Sequence, residues 1–296
     1  MCFLLKRHEY DIIRNVKALV GSPDRRDILQ QVELSKNESG IRTVRYRNYF
    51  ANISLRGLTA AQMDILISFF AILKNRAEDT VEINLLEFKK MINYSSSSRK
   101  RFIDDVKAVN RKLMCVEIFQ ITPDAECQEL GGLALFTEYY FSPNYRSIFV
   151  RINRPYAFLI NDAFSDFTKY PLDDFLSLKS VFAKILFMQL KRFRNTGFYY
   201  FDMVKFRDVM QIPGSYRMKD IDRRILSPAM NELAGKFMDL RMEKIYGVKN
   251  GHRSVTAINF FFSPEADSDS LPKEGYGLES NADFPDFTNI PVDVPF

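Results

Sequence analysis

Two short stretches of this 296-residue chain concentrate the side chains best suited to chemistry, and that chemistry is anion binding. In the first, Ser95, Ser96, Ser97 and Ser98 run into Arg99, Lys100 and Arg101, with Lys107 and Arg111 further on. Hydroxyls and free amides at a helix start bond phosphate oxygens, and an arginine fork matches the O6/N7 edge of guanine. In the second, Tyr216, Arg217, Lys219, Arg223 and Arg224 crowd one segment, with Lys219 and Arg223 one helical turn apart. Lys249, His252 and Arg253 flank Asn250-Gly251, a hairpin signal, and so belong at a ribbon tip suited to phosphate or minor-groove contact. The same residues also fit solvated basic faces, with serines as a cap and Asp220 and Asp222 as ion-pair partners.

Bond-making chemistry finds little support. The chain has no Gly-x-x-x-x-Gly-Lys-Ser/Thr loop, so nucleotide hydrolysis by that route is excluded. Nicking by a tyrosine beside a His-apolar-His metal pair is excluded too, since His8 and His252 are the two histidines and lie far apart. Asp104-Asp105 and Asp173-Asp174 could in principle hold Mg2+. Adjacent helical residues point about 100° apart, however, and both pairs read better as solvated or dipole-facing carboxylates. Cys2, Cys115 and Cys127 lack zinc-ligand spacing and suit reduced thiols in a cytoplasm. The expectation is a non-enzyme without metal or cofactor.

The elements that must position these cations follow from periodicity. Thr59-Ala60-Ala61-Gln62 is a capping box, and Met63, Leu66, Ile67, Phe70 and Leu73 give a helix over about 60–74. A short strand at Val81 to Ile83 and a second helix opened by Asn84 and Glu87 follow. A third helix from about Ser98 carries Phe102, Val106, Val109 and Leu113 inward, and strands are expected at Val116 to Thr122, Leu133 to Phe141 and Ser147 to Ile152. The series recurs about 118 positions later, setting Met63 over Val181, Ile67 over Ile185, Phe88 over Phe206 and Ile103 over Ile221. The second copy reads as helix Asp174 to Phe193, strand Phe198 to Phe201, helix Asp202 to Gln211, a helix from Tyr216 kinked or ended at Pro228, and a closing hairpin. Helix, short strand, helix, turn, helix and hairpin is the order of a winged helix-turn-helix. The fold class expected is therefore α+β, with tandem winged helix-turn-helix domains and a disordered acidic C-terminal tail.

That divides the chain into an N-terminal helical extension (1–50), a first domain (51–153), a connector (154–173), a second domain (174–263) and the tail (264–296). Two amphipathic pieces, Tyr10 to Val20 and Asp24 to Val32, motivate the helical extension. Lys179, Lys184, Lys191, Arg192 and Arg194 make the first helix of the second copy basic, in part as a solvent face. Net charge is +5, but residues 264–296 hold eight carboxylates and one lysine, net −7, which leaves +12 on the rest. A basic body steers polyanions toward it, or simply keeps the protein soluble. No apolar run reaches the 18 or so residues of a membrane span, and Lys6 and Arg7 cut short any signal-type core, so a cytoplasmic protein is expected.

From about Ile53 to Phe262 the chain resembles the iteron-binding plasmid replication initiators, the Rep family with two winged-helix domains. The likeness rests on Leu58-Thr59-x-x-Gln62, on Gly197-Phe198-x-x-Phe201 with Phe206-Arg207, and on Tyr216 followed by Ile221-Asp222-Arg223-Arg224-Ile225-Leu226-Ser227-Pro228-Ala229. The resemblance implies a sequence-specific origin binder that recruits host replication proteins and, as a homodimer, represses its own gene. A winged-helix transcriptional regulator with no replication role is the alternative. The ending Pro291-Val292-Asp293-Val294-Pro295-Phe296 is similar to the terminal peptide of bacterial single-stranded DNA-binding proteins, which implies a host-protein contact through Asp293, Pro295 and Phe296. A purely solubilising tail is the other reading.

Overall fold

The fold is described from a computed structural model. It describes residues 30–31, 42–48, 55, 57–74, 76, 80–113, 116–120, 128–133, 136–142, 144–153, 160, 167–249 and 252–265. In chain order these form β1 (Gln30–Gln31), β2 (Thr43–Arg47), α1 (Ala60–Leu73), β3 (Val81–Asn84), α2 (Leu85–Met91), α3 (Arg99–Leu113), β4 (Val116–Gln120), β5 (Gln128–Leu133), β6 (Phe136–Phe141) and β7 (Ser147–Ile152). There follow β8 (Phe167–Pro171), α4 (Leu172–Leu176), α5 (Val181–Lys191), β9 (Phe198–Asp202), α6 (Met203–Val209), α7 (Met218–Ile221), a π turn (Asp222–Leu226), α8 (Ser227–Leu233), β10 (Arg241–Lys249) and β11 (His252–Phe261).

Two winged-helix modules share one skeleton. The first is α1, α2 and α3 with the sheet β3-β7-β6, which β1 extends; the second is α5, α6 and α7–α8 with the sheet β9-β11-β10. The 118-residue offset reaches individual hydrogen bonds. Asn84 and Asp202 each cap a helix, accepting from the amides two and three residues on (Leu86 and Glu87; Val204 and Lys205). The exits match as well, with Tyr94 N bonding Lys89 O at 3.1 Å and Ile212 N bonding Arg207 O at 2.8 Å. Asn93 and Gln211 both take a left-handed backbone, φ 50° and 54°. Such a conformation costs a non-glycine residue energy, and its recurrence at one place shows that the turn into the third helix is tightly specified.

Several expected elements differ. The run Leu133 to Phe141 divides, because β5 pairs with β4 while β6 pairs with β7; an apolar run does not reveal where its partner changes. The helix expected from Asp174 to Phe193 is two helices. Ser180 caps α5 by accepting from Phe182 N at 3.2 Å, and Glu232 takes the amides of Lys179 and Ser180 at 2.6 and 3.3 Å. The connector contains β8, which pairs antiparallel with β2, so the extension expected to be helical holds strands at Gln30–Gln31 and Thr43–Arg47. Buried Val44 and Tyr46 alternate with Thr43 and Arg45, a period-two pattern that sets this strand. Residues 1–29 and the acidic segment 266–296 lie outside the described residues.

The β2–β8 ribbon joins the modules. Tyr46 and Tyr170 meet edge to face at 5.9 Å, Tyr46 packs on Phe70 of α1 and Tyr170 on Phe187 of α5, all within one continuous core. This explains why α1 is buried nearly all round rather than along one stripe. Between α1 and α5, Asp64 pairs with Lys184 at 2.5 Å, and the same ammonium donates to Phe175 O at 2.9 Å. Burial pushes the Asp64 carboxyl up to about 6 against the pull of Lys184, and burial likewise lowers Lys184. The expected solvent face of this helix is thus corrected at three positions: Lys184 is 0% exposed, Lys191 4% and Arg194 8%. Each is held by a partner that sequence spacing conceals: Asp64 for Lys184, Glu265 for Lys191, and the Phe167 carbonyl, at 3.0 Å, for Arg194. No helix among the described residues is long and apolar enough to cross a membrane.

Candidate nucleic-acid interface

In the second module the helix entry is built from polar contacts. Arg207 on α6 donates to Tyr216 O at 3.0 Å, and Asp220 accepts from Arg217 N at 3.2 Å. Arg224 donates to the Tyr216 hydroxyl at 3.1 Å, with its guanidinium 5.1 Å from that ring. This hydroxyl contact raises the Arg224 pKa further, so its charge is permanent. Arg217, Lys219, Arg223 and Arg224 are all exposed. Arg223, 72% exposed at its side chain, has a loose 3.7 Å contact with Asp220, which leaves its fork directed to solvent.

Pro228 does not end this helix. It lacks the amide proton that Arg224 O would accept, and the chain answers with one widened turn in which Ser227 N bonds Asp222 O. Arg223 and Arg224 lie on that turn, and α8 continues to Leu233. Asp222 on the turn pairs with Lys244 of β10 at 2.6 Å, tying helix to wing. The wing is long: β9 covers β11 from Ala257 to Phe261 alone, and the pairs Tyr246–Val255 through Lys249–His252 project beyond it. Arg253 stacks 4.4 Å over the Tyr246 ring, and Lys249 lies at the last pair before the turn.

The first module is built differently. Ser96 and Ser98 cap α3 themselves, their hydroxyls accepting from Ser98 N and Arg101 N, both at 3.2 Å. Ser95 and Ser97 are exposed, and the Ser97 carbonyl takes a 3.2 Å bond from Lys89. Arg99 donates from one Nη2 to Asn144 O at 2.5 Å and Tyr145 O at 2.7 Å, clasping the β6–β7 turn. Lys107 lies 5.7 and 5.6 Å from the Phe141 and Tyr145 rings of the same wing. Lys100 and Arg101 face solvent, as does Arg146 on the turn, a cation that its place outside a basic run concealed.

The acidic pairs have structural work. Asp105 accepts from the Tyr94 hydroxyl and from Gln62 Nε2 at 2.8 Å, so it is not the solvated carboxylate expected. Burial and the bond to Asp105 push the Tyr94 hydroxyl up to about 12. Asp174 pairs with Lys236 at 3.0 Å. Among the described residues no group of three or more His, Cys, Asp or Glu could hold a metal ion. Cys2, Cys115, Cys127, His8, Asp293, Pro295 and Phe296 lie outside the described residues.

Comparison with known proteins places this geometry. Residues 43–191 match the model described as Initiator Replication protein, WH1, and residues 202–262 match Initiator Rep protein, WH2. The chain is 25% identical over 226 residues to the probable replication protein rep of Bifidobacterium longum (strain NCC 2705), covering 75% of this chain and 73% of that one. Its fold is similar to that of the Pi initiator protein, solved in complex with iteron DNA, with a TM-score of 0.56 at 14% identity over 76% of this chain and 98% of that one. The first match begins at β2, in keeping with the ribbon that joins the modules. With both family models in order and together spanning more than half of its length, the chain belongs to the initiator replication protein family, built from its WH1 and WH2 winged-helix domains.

Proposed function

We propose that the protein starts plasmid replication by binding short repeated origin sequences, each module laying its third helix in one of two neighbouring major grooves. The observation that carries this reading is the pair of exposed cationic helix starts, Lys100–Arg101 and Arg217–Arg224, set on one continuous core. Arg223 and Arg224 read guanine edges, while Arg99, Lys100, Arg101, Lys107, Lys219, Lys249 and Arg253 hold phosphate directly or shape the surface that does. Tyr216 and Arg217 fix the helix entry against the backbone. The half-sites lie about 10 bp apart, close to one helical turn. The chain makes and breaks no bonds itself: it distorts the origin and recruits host replication proteins in the cytoplasm, in part through Asp293, Pro295 and Phe296, and as a homodimer it represses its own gene. The family membership and the Pi–iteron DNA complex support the DNA partner.

Duplex binding measured against salt tests the reading. Neutralising about 6 to 10 phosphates lowers affinity on the order of 10³- to 10⁵-fold between 50 and 200 mM salt. A flat response would contradict it. An origin-dependent replication assay, with a plasmid carrying its own repeats, separates initiation from gene regulation.

A further inference from the structure

The segment beyond Glu265 and the exposed cations of the two third helices carry opposite charge on one chain. We propose that residues 266–296 bind those cationic faces as an internal polyanion and compete with DNA for them. The proposal rests on the DNA-binding reading above.

Three observations support it. First, residues 266–296 hold seven carboxylates against one lysine, and the acids recur every two to seven residues from Asp267 to Asp293. Negative charge is thus strung along the chain, as it is along a phosphodiester strand. Second, the root of the segment is fixed: Glu265 pairs with Lys191, and its amide bonds Arg194 O at 2.8 Å. The segment therefore starts from a set point beside the end of β11. Third, the distances suit. Nine residue steps along β11, from Phe261 to His252, span about 30 Å to the wing tip. Thirty-one residues extend to about 100 Å at most, well beyond the span to the wing tip.

The expected size follows from tethering. A segment joined to the body is presented at an effective concentration on the order of 1 mM. A contact with a dissociation constant of about 0.1 mM then raises the apparent Kd for DNA about tenfold. Being ionic and exposed, the contact fades with salt.

The test uses the full chain and a full-length variant in which Asp267→Asn, Glu274→Gln and the same exchanges at the other five acids neutralise the segment. Equilibrium binding to a labelled 30-bp duplex is measured from 50 to 300 mM salt. The neutral variant is expected to bind about tenfold more tightly at 50 mM, with the two curves converging at the high-salt end. Equal affinities at 50 mM would overturn the proposal, whereas failure of both proteins to bind duplex would overturn the DNA-binding reading instead. Carbodiimide crosslinking of the unaltered chain adds a direct readout. Crosslinks from the segment to Lys100, Lys107 or Lys219 that disappear on adding duplex support it. Crosslinks that form only between molecules, or that persist with duplex bound, count against it.

Discussion

In the first module an arginine ties the third helix to the wing; in the second, a carboxylate and a lysine do. Arg99 gives two hydrogen bonds to the carbonyls of Asn144 and Tyr145, and Lys107 lies against the aromatic rings of that wing. Across the matching joint Asp222 meets Lys244, and Arg217, Lys219 and Arg223 stay turned outward. The two skeletons agree hydrogen bond for hydrogen bond around α2 and α6, so the contrast lies in how cations are placed on a shared frame. An arginine whose Nη2 is held by two wing carbonyls is suited to shaping a surface for phosphate. An arginine with a free fork can discriminate bases. Under the proposed function, the first module acts as the clamp and the second as the reader.

That contrast needs a fixed spacing between modules, and the largest expected effect tests the joint. Asp64→Asn leaves the Lys184 ammonium buried without its carboxylate and is expected to cost about 3–5 kcal/mol of unfolding free energy in a urea titration. Lys184→Met behaves differently, because the carboxyl it leaves behind can take up a proton. Asp64 is already raised to about 6 with Lys184 present, and it rises further without it. A folded-state pKa above the unfolded one gives stability that is full below about pH 4 and lost as pH climbs through the folded value. Urea midpoints for Lys184→Met are therefore expected near the unaltered protein at pH 5 and clearly below it at pH 8.

Next in size is the reader. Arg223→Ala is expected to weaken specific binding by about 1–3 kcal/mol and to relax preference at one base pair, measured as affinities across single-position variants of the bound site. Arg99→Ala should loosen the clamp instead, weakening every sequence alike by about 1 kcal/mol. A base-selective loss from Arg99→Ala would reverse the assignment. Smaller again, Lys219→Ala should leave base preference intact while lowering the slope of log K against log salt by about 1.

Much of this frame was legible in the residues. The Thr59–Gln62 capping box, the Asn84 cap and the turn into α3 are local, and local chemistry fixes them. The 118-residue repeat was visible in hydrophobic positions because each copy buries the same inner faces. What stayed hidden is non-local. Asp64 and Lys184 lie 120 residues apart, and nothing in either neighbourhood marks a buried pair; a lysine in a basic helix reads as solvent-facing. Likewise Arg99 sits in an obvious basic run, yet its partners are carbonyls 45 and 46 residues away. The β2–β8 ribbon required pairing across the whole first module, so its strands fell to an extension and a connector when viewed separately. The π turn was foreshadowed by Pro228, but a proline reports only that a donor is missing, not how the chain absorbs the loss.

Selection of bound duplexes from a randomised pool, followed by footprinting with the unaltered chain and with Arg223→Ala, tests the clamp-and-reader division most directly. Two protected half-sites about 10 bp apart are expected, with base preference concentrated in the one under the second module and Arg223→Ala relaxing it there at one base pair while protection persists in both. A single protected half-site, or base preference of equal strength in both halves, would contradict it.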